Sequence, residues 1–170
     1  MTERAVLLLA FAAFIALAYA LMLRGWRNRQ RQQGFLPAPA TATPGAALLG
    51  EPVPGLLVGT TFAGRWLDRV VVHGLSDRSV SDLSLATDGV HLTREGAAEL
   101  FVPWADLVSA EPGAALAGKV MGEGGLLLLT WQLGGTELTT GFRADEHAQH
   151  PRLAAAIAEQ MAPSASVQTS

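Results

Sequence analysis

Cysteine is absent from the 170-residue chain, which excludes a disulfide framework, a thiolate metal site and a cysteine nucleophile. Charge is scarce too: Asp, Glu, Lys and Arg make up 16% of the residues and hydrophobic types 49%. Mean hydropathy is +0.28, more than a soluble domain of ordinary composition carries, so one segment must hold the excess. With a membrane span and flexible stretches set aside, about 100 residues remain for one domain. A multi-pass transporter or a large enzyme does not fit in that length. Basic side chains are few outside the amino-terminal stretch. Residues 1–31 hold Arg4, Arg24, Arg27, Arg29 and Arg31 against Glu3, a net charge of +4, whereas residues 32–170 hold 7 basic and 14 acidic side chains, a net −7. An acidic domain with no basic stripe lacks the footprint for a phosphate backbone, so no nucleic-acid partner is expected.

Residues 5–23, AVLLLAFAAFIALAYALML, run for nineteen positions without a charge. At about 1.5 Å per residue they span roughly the 30 Å hydrocarbon core. Ala18-Tyr19-Ala20 imitates a signal-peptide cleavage site, but the run is longer than an ordinary h-region and leads into arginines, a stop-transfer pattern. A retained anchor is expected. Arg24, Arg27, Arg29 and Arg31 follow it directly, and the positive-inside rule puts them in the cytoplasm, with residues 1–4 as a short outer terminus. The resulting localisation is a single-pass plasma (inner) membrane protein whose domain is cytoplasmic. Trp26 suits the headgroup level beside these arginines, which also attract anionic lipid. Ala12, Ala16 and Ala20 make a small-residue stripe that would permit a homodimer, although alanine also serves as plain apolar filler.

From Gln32 to Gly55 the chain carries five of its nine prolines and no periodic apolar pattern. Residues 24–54 are therefore read as a basic juxtamembrane segment and an extended linker, the domain as residues 55–162, and residues 163–170 as a disordered tail. Within the domain, short apolar runs alternate with turn signals, the pattern of a β barrel or sandwich. Strands are predicted near 56–62, 69–74, 80–87, 90–94, 99–102, 106–111, 126–133 and 136–142, about seven once a bulged strand is counted once. Asp88-Gly89 and Gly134-Gly135 read as two-residue hairpin turns. Leu153, Ile157 and Met161 recur every fourth residue, predicting one closing helix that Pro163 stops.

Chemistry-bearing patterns are few. Gly113-Ala-Ala-Leu-Ala-Gly118-Lys119 fits the phosphate-loop spacing, but Val120 replaces the required Ser or Thr and more glycines follow instead of a helix, so a glycine-rich hairpin connection is expected. No G-x-S-x-G elbow occurs. His147 and His150, at i and i+3, are read as residues leading into the closing helix rather than as metal ligands. His91 is read as solvated on a strand face, and His73 as lying near a strand end. Trp131 belongs to the core and Trp104 to packing. Trp66 lies among Arg65, Asp68 and Arg69, and Trp with Arg favours binding hot spots, so these four residues are the candidate partner contact, although burial of Trp66 under the first hairpin is the more ordinary reading.

Short strands followed by one helix resemble the PH-like superfold. The phrase Glu99 to Glu111, ELFVPWADLVSAE, is similar to a strand of PH and GRAM-type domains. The whole layout resembles a family of small bacterial single-pass membrane proteins with a PH-like domain, often loosely labelled export or transport proteins. Val58–Val70, His73-Gly-Leu75, Gly118-Lys-Val120, Leu129–Leu133 and Thr140–Asp145 carry that resemblance. It implies a mainly β fold, an amino-terminal transmembrane helix followed by a barrel or sandwich of about seven strands closed by a carboxy-terminal helix. It implies no catalysis, no cofactor and no metal. Phosphoinositide binding is not expected, because Arg65 and Arg69 alone are too few. The expected task is a membrane-anchored scaffolding module for an unidentified protein. The alternatives are an accessory subunit of a transport or export complex and an extracytoplasmic domain of inverted topology.

Overall fold

The computed structural model describes residues 2–120, 122 and 124–162, and the expected tail at 163–170 lies outside them. The chain forms two compact units, residues 1–35 and 36–170. The first is a single helix, α1 (Thr2–Gln32), long and apolar enough to cross a membrane. It runs past the expected end of the span at residue 23 and takes in the arginine-rich segment, because nothing from Arg24 to Gln32 breaks a helix except the tolerated Gly25.

The second unit is built on antiparallel strands β1 (Val53–Phe62), β2 (Arg65–Arg69), β3 (Ser79–Leu85), β4 (Gly89–Arg94), β5 (Leu100–Pro103) and β6 (Leu107–Gly113). A short ribbon, β7 (Ala115–Leu116) with β8 (Lys119–Val120), then leads to β9 (Leu126–Leu133), β10 (Thr136–Ala144) and helix α2 (Gln149–Met161). Seven strands pair in the order β5-β4-β3-β1-β10-β9-β6, and β2 adds an eighth beside β1. The sheet does not close, since its terminal strands β5 and β6 share no ladder. It is mainly β with one closing helix, as the strand pattern predicts.

Alternation places Leu83, Leu92, Leu129, Trp131, Leu138 and Phe142 on one face, where they form the core. Helix α2 lays Leu153, Ala154 and Ile157 on that core, mainly over β6 and β9. The i, i+4 spacing of Leu153 and Ile157 makes this face, and Met161 completes it only partly buried. Burying Ile157 completely contributes about 2 kcal/mol. Gly134 and Gly135, both at positive φ, close the β9–β10 hairpin between Leu133 and Thr136 as expected.

Two local expectations differ. The Asp88-Gly89 turn is shifted by one residue: Ala86 and Gly89 close the loop with reciprocal backbone bonds of 2.9 and 3.3 Å, leaving Thr87 and Asp88 at its tip. Gly89 then begins β4 against β5, where an added Cβ would lie 2.3 Å from the Val102 carbonyl oxygen. The strand expected at 69–74 is instead β2 at 65–69. Val70 turns into the core fully buried, and His73 and Gly74 both adopt positive φ, which ends any strand.

The proline-rich segment is not a free linker. Leu36 is 3% exposed within the core cluster, and its carbonyl lies 2.9 Å from His73 Nε2. Further along, the Thr43 N–H donates to Asp88, Thr87 N–H to the Ala47 carbonyl and Leu49 N–H to the Leu85 carbonyl, while Leu48 bridges Ala86. Proline removes donors from the strap but leaves its carbonyls and remaining N–H groups able to bond the sheet. The compact unit thus begins near Leu36 rather than at residue 55.

Candidate functional site

The β1–β2 hairpin turns tightly at Ala63 and Gly64, so β2 stands at the margin of the sheet with little packed on it. Trp66 is 45% and Leu67 66% exposed. Arg65 and Asp68 form an exposed ion pair of 3.1 Å, and the Arg65 guanidinium lies 4.7 Å from the centre of the Phe62 ring. Such a pair contributes little to stability, at most about 1 kcal/mol. Arg69 behaves differently. Its Nη2 donates to the Ala117 carbonyl at 2.8 Å and its Nη1 reaches the Ser76 carbonyl at 3.5 Å, so it ties β2 to the ribbon. Of the four residues expected as a contact, Arg65, Trp66 and Asp68 sit together on the surface, and Arg69 turns inward. On α1, Arg24, Trp26, Arg27 and Arg31 are exposed, and Arg29 lies in the same helix.

Beside the hairpin, a groove of about 420 Å³ opens on the face of the sheet away from the main core. Its floor follows from register. Thr61 pairs with Thr139, Thr139 with Thr130 and Thr130 with Ser109, which sets four hydroxyls in a row across β1, β10, β9 and β6. Thr130 and Thr139 Oγ1 lie 3.3 Å apart, whereas the Oγ1 of the fully buried Thr61 has no hydrogen-bond partner. Trp66, Leu116 and Leu128 form apolar walls, Glu111 and Glu137 supply carboxylates, and no Lys, Arg or His lines it among the described residues. Leu116 belongs to a small second cluster with Val58, Ala117 and Leu126, which seats the ribbon on the sheet. The hydroxyl row was not apparent from sequence, although the doublets Thr60-Thr61 and Thr139-Thr140 are its visible trace.

The histidines resolve into distinct roles. His91 is not solvated as expected: its side chain is 12% exposed and bonded to Asp88 and Glu99, each at 2.8 Å. Burial opposes its charged form, but hydrogen bonds and charge from the two carboxylates outweigh burial and raise its pKa above 6.5. Burial likewise works against the Asp88 carboxylate, and His91 with the Thr43 N–H reverses that and lowers its pKa. His150 is completely buried. Its Nε2 accepts the Ala144 N–H at 2.9 Å, so the Nδ1 proton is donated to the Gly124 carbonyl at 2.8 Å. Burial lowers its pKa, the bond to the Gly124 carbonyl opposes this in part, and the neighbouring His147 and Arg143 add to the lowering. His150 thus joins α2 to β10 as a neutral imidazole. Among the described residues, no group of three His, Asp or Glu side chains is arranged to hold a metal ion.

A second cavity of about 420 Å³ lies under the strap, lined by residues 38–42, His73, Arg94, Glu99 and Phe101. Arg94 is 9% exposed, with Nε donating to the Ala98 carbonyl at 2.6 Å and Nη1 to the Gly74 carbonyl at 2.8 Å. Both bonds fasten loops, so the guanidinium serves the fold. The phosphate-loop spacing at Gly113–Lys119 falls on the end of β6 and the ribbon, whose turn at Ala117 and Gly118 takes positive φ. No helix opens there, and the hairpin connection is as expected. Trp131 is buried and Trp104 donates to the Ala86 carbonyl at 2.9 Å, both in packing roles.

An open antiparallel sheet with a single carboxy-terminal helix on its core defines the class of PH-like folds. Residues 33–158 match the family described as Bacterial PH domain-like, and the chain belongs to that family. The match begins upstream of the strap, in keeping with a domain that includes it. No curated protein matches the chain.

Proposed function

We propose that the protein is a membrane-anchored, non-catalytic interaction module that holds another protein at the cytoplasmic face through the β1–β2 hairpin. A PH-like domain and a helix able to cross a membrane support the coarse reading. The observation that carries the finer one is Trp66 and Leu67, two large apolar side chains both exposed on consecutive positions of a tight hairpin and flanked by an exposed ion pair. Aromatic and arginine side chains in that setting are favoured anchors at protein interfaces. The arginines after the span favour an inward-facing domain.

Two measurements test this reading. A photo-crosslinking residue at Leu67 of the full chain, in its native membrane, is expected to give a discrete protein adduct that Trp66→Ala abolishes. Equal adducts from Leu67 and from the exposed Glu159 on α2 would overturn the hairpin assignment. A single cysteine at the exposed Glu95 is expected to react with an impermeant thiol reagent only after permeabilisation. Reaction in intact cells would reverse the topology.

A further inference from the structure

We propose that the groove beside the hairpin receives an extended, arginine-bearing peptide segment of the partner, with its guanidinium groups on Glu111 and Glu137 and its backbone along the hydroxyl row. The inference rests on the hairpin contact proposed above and specifies the chemistry that the contact selects. Trp66 belongs to both surfaces, so a partner held at the hairpin tip continues naturally into the groove.

Charge points to a cationic occupant. Both ionisable side chains of the lining are carboxylates, and residues 32–170 carry a net −7. Of the arginines beside Trp66, Arg65 is paired with Asp68 and Arg69 bonds backbone carbonyls. Arginine suits this lining better than lysine, since a planar guanidinium bonds a carboxylate through two parallel donors and stacks on an indole such as Trp66. The floor suits a peptide backbone. Hydroxyls both donate and accept, and so match alternating N–H and carbonyl groups. From Thr61 to Ser109 the row crosses three strand spacings, about 14 Å. That accommodates about four extended residues.

Thr61 supplies an independent sign. A buried hydroxyl in a folded protein almost always has a partner, and Thr61 Oγ1 has none, although its residue helps line the groove. The matching hydroxyls of Thr60 and Thr140, on the opposite face of the same strands, are bonded to each other at 2.8 Å. Thr61 Oγ1 is fully buried beneath the groove floor, so a ligand backbone completes it only once the side chain turns towards the groove.

The test uses the full chain in neutral detergent micelles and a fluorescent acetyl-Gly-Arg-Thr-Arg-Gly amide, followed by anisotropy. Saturable binding at low salt is expected, weakening with added salt as rim charges are screened. The double variant Glu111→Gln/Glu137→Gln is expected to bind about tenfold more weakly, as loss of charge pairs at an interface does, with an unchanged thermal midpoint. The same peptide with citrulline for arginine is expected not to bind. No saturable binding, equal binding of the citrulline peptide, or full binding by the double variant would overturn the proposal. A Leu67 crosslink that persists when the peptide fails removes the groove assignment alone. Peptide binding without any Leu67 adduct removes the hairpin reading instead.

Discussion

The two faces of the sheet carry similar threonines to opposite ends. On the core face, the Trp131 Nε1–H donates to Thr140 Oγ1 at 2.9 Å and Thr140 meets Thr60 at 2.8 Å, all three fully or almost fully buried and all satisfied. On the outer face, one residue along the same strands, Thr61 and Thr139 begin a row that is half open and not fully paired. A one-residue step moves a side chain across the sheet. Composition alone therefore separates nothing here; the inner row is satisfied within the packing, whereas the outer row borders an open groove.

Substitutions can break or sharpen this contrast. The largest effect is expected from Trp131→Ala, which empties the centre of the inner face and should lower the unfolding free energy of the domain by about 3–5 kcal/mol in denaturant titration. Thr140→Val leaves the buried Trp131 N–H and Thr60 hydroxyl without their partner and should cost about 1–3 kcal/mol in the same titration. Histidine protonation should give a smaller, pH-dependent change. His150 has a lowered folded pKa, so its contribution is present above the ordinary value of 6.5 and fades as pH falls below it. His91 has a raised folded pKa, so its contribution is complete below 6.5 and fades as pH rises through the folded value. Thermal midpoints across pH should thus show opposite slopes on the two sides, and His91→Gln should remove only the loss on the alkaline side. Thr61→Val should be the mildest, within about 0.5 kcal/mol of wild type, because the hydroxyl it removes has no partner. A cost for Thr61→Val equal to that for Thr140→Val would erase the distinction between the faces.

Periodicity made much of this architecture legible. The apolar run became α1, the four-residue spacing of Leu153 and Ile157 became α2, and Gly134-Gly135 marked the firmest hairpin, since each depends only on local sequence. The errors lie where distant segments decide the outcome. Nothing local in Val70–Gly74 tells that the chain dives into the core there, and nothing in the prolines tells that Asp88, 45 residues away from Thr43, holds the strap. At the candidate site, Trp66 and its neighbours stood out by residue type, but the exposure of Trp66 did not follow from it, and the inward turn of Arg69 depends on Ala117, 48 positions away. The groove floor is set by the register of four strands, and register emerges only on folding.

Pro103 and Pro112 stand in β5 and β6, the two strands that end the sheet. Each lacks the N–H that another strand would need to continue the ladder. If α1 is seated in a bilayer as proposed, confining copies to two dimensions, that is a safeguard: they can crowd together without stacking their sheets edge to edge. Contacts between such neighbours are then left to side chains, where they can be selective and reversible.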